Sequence, residues 1–383
     1  MTRSRRAAVV GVAHSDLGKT PHLSVMSQQA LAAKKALDES GLGFGDVDAL
    51  FTSGMWSWAP ALSLAEYLGI QPKYMDTSSV GGCSFETHVG HAMAAIEAGM
   101  IDVALITYGS TAKTGGSNWA DAADVMERQF VFPYGFPDPI GAYAMAAQRY
   151  MHTYGATSAQ LAEVAVAARA WAGMNPEAYL REPITVDDVL NSTMIADPLH
   201  KMDCCLVTDG GGAIVVAAEE RWAEIATKPV EILGYGESMT HMSIANSPDI
   251  TVTGAAVSGP AAMQMAGVHF EDIDLVEVYD SFTITVLLTL ESLGFCKPGE
   301  AASFVENGRI APGGEFPLNT NGGGLSFTHP GMYGIFLLIE ATRQLRGDYA
   351  GEGLRQVSDA DVALVHGTGG TLSSTSTVIL GKG

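Results

Sequence analysis

Cys83 closes a run, Ser78-Ser-Val-Gly81-Gly82-Cys83-Ser84, that leads straight into an apolar helical stretch. A thiol at a helix start meets unpaired N–H groups and the positive end of the helix dipole, which favours thiolate and would also hold an oxyanion. A small buried cysteine beside a tight Gly-Gly turn would give the same residues. A second segment, Val278-Tyr279-Asp280-Ser281-Phe282, stands where an apolar run ends and a helix begins. Capping alone accounts for Asp280 or Ser281. The phenol of Tyr279 can exchange a hydrogen bond with a ligand oxygen, although core packing is the commonest role of a buried tyrosine. The third segment, Asn319-Thr-Asn321-Gly-Gly-Gly324, is followed by Thr328-His329-Pro330-Gly331-Met-Tyr333, so glycines let backbone approach closely and His329 is held extended before a proline. In the fourth, Leu364-Val365-His366-Gly-Thr-Gly369-Gly370, a buried strand delivers a histidine into a glycine-rich turn. No segment is specific alone; a Cys, two His and a Tyr at element ends describe a nucleophile-plus-base site.

The elements that must position these groups repeat. Gly41-Leu-Gly-Phe-Gly-Asp46-Val-Asp48-Ala-Leu50 is echoed by Gly267-Val-His-Phe-Glu-Asp272-Ile-Asp274-Leu-Val276, and Asp102-Val-Ala-Leu-Ile106 by Asp361-Val-Ala-Leu-Val365. Each first echo reads as helix end, acidic turn and buried strand. Two similar α/β halves follow, 1–225 and 226–383, with His366 in the place that Thr107 holds in the first. Strands are expected at 7–12, 47–52, 103–107, 213–217, 230–233, 275–279 and 362–366, where short unbroken apolar runs suit strands buried on both faces. Helices are expected at 24–40, 85–98, 142–152, 158–172, 282–293 and 335–345, several stopped by glycine. Between about 111 and 207 the pattern turns to Trp, Pro, Tyr and Met with two helices and no expected strand. It reads as a loop or lid inserted in the first half, and Trp119, Tyr134 and Met145 suit an apolar pocket there.

Composition narrows the function. The 383 residues are 47% hydrophobic, and 42 Asp plus Glu against 21 Lys plus Arg give a formal charge of −21. No basic cluster exceeds Arg3-Ser-Arg-Arg6, so nucleic acid and anionic membranes are poor partners. No stretch approaches the roughly 18 apolar residues of a membrane span, and a soluble protein is expected. Cys83, Cys204, Cys205 and Cys296 form no CxxC pair, which points to a reducing cytoplasm with neither a disulfide framework nor a zinc site. The run Asp209-Gly-Gly-Gly212 precedes a strand, whereas a dinucleotide fingerprint opens a helix, and no serine-hydrolase elbow is present.

Over essentially its whole length the chain resembles the thiolase superfamily, and within it the sterol-carrier-protein-type thiolases and bacterial thiolase-like lipid-transfer proteins. Tyr279-Asp280-Ser281-Phe282 resembles the family's His-Asp-Cys-Phe motif, Thr328-His329-Pro330 its Gly-His-Pro motif, and His366-Gly-Thr-Gly369-Gly370 its C-terminal glycine-rich loop. The resemblance implies a five-layer αβαβα thiolase fold built from two similar halves with an inserted loop domain, a homodimer formed through the first half, and a coenzyme A thioester as substrate with no bound cofactor or metal. It also implies catalytic roles for Cys83, His329, His366 and Tyr279, and substrate contacts from Gly82, Ser281, Asn321, Gly369, Gly370 and Tyr333.

Two departures bear on the reaction. Ser281 replaces the cysteine that would move the α-proton, and serine is no comparable base near neutral pH. By the family's spacing Cys83 also stands one residue late, so that the nucleophile position falls on Gly82, unless a one-residue loop difference restores the register. Acyl transfer through a covalent acyl-Cys83 is the first reading, with His329 and His366 as base and oxyanion donor. The alternative is the family's retro-aldol branch of steroid side-chain breakdown, which cleaves a β-hydroxyacyl-CoA without a covalent intermediate and would use Tyr279. A third reading is a partner-dependent acyl-CoA-binding subunit, because relatives pair with a small OB-fold and zinc-ribbon protein. Few cations stand near the motifs to grip CoA, Lys201 and Arg309 being the nearest.

Overall fold

The acidic turns that echo one another in sequence fold alike. In a computed structural model describing residues 5–54, 56–115 and 129–383, Gly41 and Gly267 end helices with left-handed φ of 79° and 69°. Asp46 and Asp272 accept the backbone N–H of Gly43 and His269 at 2.9 and 2.7 Å. Asp48 takes the N–H of Val103 at 3.0 Å, and Asp274 that of Val362 at 3.1 Å, so each turn is tied to the start of the next parallel strand. Trp119 lies outside the described residues.

The first part of the chain forms β1 (Ala7–His14), α1 (Val25–Ser40), β2 (Ala49–Thr52), α2 (Pro60–Leu68), β3 (Tyr74–Asp76), α3 (Ser84–Glu97) and β4 (Val103–Ser110). There follow α4 (Ile140–Tyr154), α5 (Ser158–Met174), α6 (Val186–Leu190), the hairpin β5 (Met194–Ala196) and β6 (Leu199–His200), and β7 (Gly210–Ala218). The remainder is β8 (Val230–Met239), α7 (Ala255–Ala266), β9 (Leu275–Val278), α8 (Thr283–Leu293), α9 (Ala301–Phe304), α10 (Gly334–Arg346), β10 (Val362–Gly369) and β11 (Ser374–Lys382).

Among the described residues nine strands hydrogen-bond in the order β3-β2-β4-β7-β1-β8-β11-β10-β9. From the central β1–β8 junction, where Ala8 and Val9 pair with Glu231 and Val230, one pattern runs outward in both directions. The outer pairs β2–β4 and β9–β10 are parallel, and β4–β7–β1 and β10–β11–β8 are antiparallel. Thr107 lies beside Thr52 as His366 lies beside Val278. The helices repeat the pattern too. A Cβ on Gly11 of β1 would stand 2.2 Å from the Ala36 carbonyl of α1, and one on Gly234 of β8 would stand 2.2 Å from the Ala262 carbonyl of α7. Only glycine lets each helix backbone come so close to its strand.

Three apolar clusters separate the layers. α1 and α2 cover the outer face of the first half around Leu37, Leu50 and Leu64. α7 and α8 cover the outer face of the second around Met263, Leu287 and Leu364. α3 and α10 touch strands of both halves and share a core with Phe51, Phe85, Phe336 and Val365. The result is the five-layer αβαβα arrangement. The inserted segment is not free-standing: α4 and α5 pack on α8, and α5 also touches the 323–327 turn.

Several elements differ from expectation for identifiable reasons. β11, which opens Ser374-Thr-Ser-Thr, was not among the expected strands, and its hydroxyls face buried polar partners: Thr377 meets His366, and Ser376 meets Thr87. α7 contains Gly259-Pro260, which weakens its helical signal. Gly210–Gly212 belong to β7 itself rather than to a turn before it, because a Cβ at Gly211 would meet the Tyr108 carbonyl at 2.3 Å. The 111–207 region holds the β5–β6 hairpin where no strand was expected.

Candidate active site

β9 ends so that Tyr279 points into the space between the halves. Its N–H donates to the His366 carbonyl at 2.9 Å, continuing the β9–β10 pairing by one residue. The phenol oxygen lies 2.8 Å from His329 Nε2, with the two rings edge to face at 5.6 Å. His329 is fixed through its backbone, its N–H donating to Thr208 Oγ1 at 3.0 Å and its carbonyl accepting the Thr208 N–H at 3.2 Å. Tyr333 stacks on His329 at 6.2 Å and meets Tyr279 edge-on at 5.8 Å, while its hydroxyl donates to Asn321 Oδ1 at 2.8 Å. Burial lowers the His329 pKa to about 4 and raises that of Tyr279 well above its ordinary value, so both are neutral near pH 7. They share one hydrogen bond between a weak acid and an unprotonated base.

Asp280 turns away from this pair. It accepts the N–H groups of Gly324 and Leu325 at 2.6 and 3.1 Å, clamping the glycine-rich segment, and burial lifts its pKa to about 7. Ser281 Oγ lies 3.0 Å from Thr285 Oγ1 at the start of α8, whose N-cap residue is Phe282, so neither Asp280 nor Ser281 caps the helix through its side chain.

Gly82 and Cys83 sit in the short turn before α3. A Cβ on Gly82 would lie 2.3 Å from Tyr279 Cε2 and 2.5 Å from the Thr368 carbonyl. The backbones of the two glycine turns also touch, since a Cβ on Gly81 would stand 2.5 Å from the Gly370 nitrogen and one on Gly369 would stand 1.9 Å from the Val80 carbonyl. Cys83 is fully buried, and its sulfur lies 3.5 Å from the Val80 carbonyl oxygen and 3.4 Å from Ser374 Oγ, with one S–H to donate to either. Burial pushes the thiol pKa up to about 12, against the pull of the helix start. His366 bonds Thr377 Oγ1 through Nδ1 at 2.8 Å, with burial lowering its pKa to about 3. The structure therefore brings together Tyr279, His329, Tyr333, Asn321 and Gly82, and it directs the side chains of Cys83, His366 and Ser281 to other partners.

Four further residues belong to this region. The Tyr108 hydroxyl donates to the Pro330 carbonyl at 2.6 Å and accepts the Met332 N–H at 3.0 Å, bracing the turn after His329. Tyr143 stacks on Phe282 at 4.3 Å. The Cys205 N–H donates to the Ser281 carbonyl at 2.9 Å, and burial and the nearby Asp280 hold its thiol protonated. Glu86 is wholly buried in the first turn of α3, where burial lifts its pKa to about 8. An acid in the first turn of the helical run Phe85–Ala98, directly after Phe85, was the available signal for Glu86; nothing local marked the other three.

Beyond the Gly369–Gly370 turn, a cavity of about 280 Å³ is lined by Tyr134, Phe136, Met145, Met242, Ile244 and Thr371, among others. Tyr134 and Met145 thus line an apolar pocket. Among the described residues no group of three His, Cys, Asp or Glu side chains could hold a metal ion, and no helix is long and apolar enough to cross a membrane.

Comparison with known proteins places this geometry. The family profile described as thiolase C-terminal domain-like matches residues 236–382. A 17-hydroxy-3-oxo-4-pregnene-20-carboxyl-CoA lyase of Mycobacterium tuberculosis is 35% identical, the match covering 99% of this chain and 100% of that protein. An acetyl-CoA acetyltransferase of Methanothermobacter thermautotrophicus is 30% identical over 96% of this chain and 97% of its own. The solved structure titled Ltp2-ChsH2(DUF35) aldolase superposes with a TM-score of 0.89 at 33% identity, covering 98% of both chains. The chain belongs to the thiolase superfamily, in the sterol-carrier-protein-type group that includes steroid side-chain aldolases, and is an enzyme that makes or breaks a carbon–carbon bond.

Proposed function

We propose that this enzyme cleaves a β-hydroxyacyl-CoA by a retro-aldol reaction without a covalent acyl-enzyme, using Tyr279 and His329. The observation that carries the reading is Gly82 pressed against the Tyr279 ring, which leaves no space for a nucleophilic side chain at that position. The β-hydroxyl proton reaches His329 Nε2 by relay through the Tyr279 hydroxyl, which takes it up as it passes its own across the 2.8 Å contact, while the bond between the α- and β-carbons breaks. The β-carbon leaves as a ketone or aldehyde, and the bonding electrons pass into the thioester enolate. Tyr279 then protonates the α-carbon, and His329 returns its proton to the phenolate across their 2.8 Å contact, restoring both groups. Gly82, Asn321, Tyr333, Gly369 and Gly370 line the substrate in this reading, with Ser281 shaping the turn. His366 serves through its carbonyl, which holds Tyr279.

The apolar cavity and the steroid-CoA lyase among the relatives support a bulky apolar acyl part. The solved Ltp2-ChsH2(DUF35) aldolase supports a small partner, the OB-fold and zinc-ribbon protein being our proposal for it. We also propose a homodimer through the first half. The edge strand β3, with Met75 half exposed, offers unpaired backbone to a second copy. Four free cysteines suit a cytoplasmic setting.

Acyl transfer through Cys83 is the second reading, favoured by the acetyltransferase relative and by the place of the thiol before α3. One experiment separates the two. The protein, alone and with a zinc-ribbon partner, is incubated with a branched β-hydroxyacyl-CoA and with β-ketoacyl-CoAs, and both the products and the intact protein mass are recorded. Release of a ketone and a shortened acyl-CoA with no acyl mass increment supports the aldolase. An increment lost in Cys83→Ala overturns it.

A further inference from the structure

Glu277 lies two residues before Tyr279 on β9 and is wholly buried. Its Oε1 accepts the Thr320 N–H at 3.0 Å and lies 2.9 Å from Thr320 Oγ1. That hydroxyl oxygen is also 2.6 Å from Glu340 Oε1 and receives a Gln344 Nε2 hydrogen at 3.1 Å. A hydroxyl carries one proton and cannot donate to two carboxylates. Two ionised carboxylates sharing Thr320 would therefore leave one buried oxygen–oxygen contact with no hydrogen between them, at a cost no buried site sustains. One of the two acids must carry a proton.

Arg355 decides which. Its guanidinium clasps both oxygens of Glu340, with Nη2–Oε2 at 2.9 Å, and the Tyr349 hydroxyl donates to Oε2 at 2.9 Å. Glu340 is the ion. Glu277 has no such partner, so the proton resides on its Oε1, donated to Thr320 Oγ1 while Thr320 donates to Glu340 Oε1. The charged and titratable groups that act on it are Glu340 from α10, Arg355 from the segment after α10 and Tyr333 from the turn before it; Tyr349 and Arg343 act on Glu340. Burial and Glu340 both push the Glu277 carboxyl well above the carboxylate range.

We propose that Glu277 is a positioning residue that works as a neutral acid: by holding Thr320 it fixes Asn321, whose Oδ1 takes the hydroxyl of Tyr333 against the Tyr279–His329 pair. The neighbouring Asn319 strengthens the connection, since its Oδ1 accepts the Val278 N–H at 2.8 Å and so registers the loop on β9. Ionising Glu277 would set it against Glu340 and push Thr320 away, carrying Asn321 and Tyr333 with it.

The inference rests on the proposed cleavage only for its kinetic readout. Infrared difference spectra of wild type and Glu277→Gln at neutral pH, together with kcat against pH for wild type, Glu277→Gln and Glu277→Ala, test it. A protonated-carboxyl C=O band present in wild type and missing from Glu277→Gln is expected. Glu277→Ala should lower kcat on the order of 10²-fold, as misplacement near reacting groups does. Glu277→Gln, neutral and of the same shape, should recover most of that rate and lack the alkaline fall of wild type. Absence of the band, or a Gln variant as slow as the Ala variant, overturns the proposal. Should wild type cleave nothing, the proposed reaction fails while the infrared result still decides where the proton sits.

Discussion

Gly82 lies so close to Tyr279 that a single methyl group at residue 82 would stand 2.3 Å from the tyrosine ring. The nucleophile position implied by the superfamily pattern is thus filled by the acid of the candidate site. Gly82→Cys supplies a thiol at the expected register and nevertheless should not create a thiolase, because the ring must shift to admit it. Overpacking of this kind costs about 1–3 kcal/mol. The expected outcome is a lower Tm, loss of cleavage and no acyl mass increment; a stable acyl adduct with gain of acyl transfer would show that the site tolerates either chemistry.

Tyr279→Phe and Cys83→Ala separate the two sets of residues. Removing the hydroxyl leaves the edge-to-face contact with Tyr333 and deletes the hydrogen bond to His329 and the 3.5 Å contact with the Gly331 carbonyl, so cleavage should fall on the order of 10²–10⁴-fold with KM little changed. Cys83→Ala deletes a buried thiol that lies against Val80 and Ser374, so it should cost stability and leave kcat within a few-fold. Steady-state kinetics and thermal melts of both variants check this. Equal loss of kcat in the two would return Cys83 to the chemistry.

Much of this was legible because the repeat is written in residues with one structural job. Gly41 and Gly267 could be read as helix ends because left-handed backbone favours glycine, and the buried strands because they are unbroken apolar runs. The positions of Tyr279 and His329 followed from strand and turn logic. Their pairing did not, since 50 residues separate them and only the folded turn after Gly324 closes that gap. The burial of the Cys83 thiol was not legible, for a physical reason. A helix start favours thiolate, but whether burial outweighs it depends on Ser374 and Gly367, which arrive from the far end of the chain. β11 was hidden because its inward hydroxyls satisfy partners that no local pattern reveals.

Neutral His329 sets an acid limit. Its pKa is lowered from the ordinary 6.5 to about 4 by burial, and only the unprotonated ring can accept the proton relayed from the β-hydroxyl. Activity should be present above pH 4 and fall as pH drops through it, rather than failing near 6.5 as it would with an exposed histidine. A pH profile of kcat/KM checks this, with His329→Gln expected to lose on the order of 10²-fold or more across the range. A limb near 6.5 that persists in the variant would belong to another group.

Glu86 provides a stability signature in the opposite direction. Its carboxyl sits where a Cβ on Gly334 or Gly367 would come within 2.2 or 2.5 Å, and both oxygens are without a hydrogen-bond partner among the described residues. Burial raises its pKa from 4.5 to about 8, so between those values the folded protein holds a proton that the unfolded chain has lost. Its contribution to stability is therefore fully present below about pH 4.5 and declines as pH rises towards 8, at about 1.4 kcal/mol per unit of pH at most. Glu86→Gln keeps the shape and removes the ionisation. Its stability relative to wild type should improve steadily from about pH 5 to about pH 8, by up to a few kcal/mol, in denaturant titrations at matched ionic strength. A difference that stays flat with pH would mean that Glu86 is ionised in the fold, held by a partner that neutralises it.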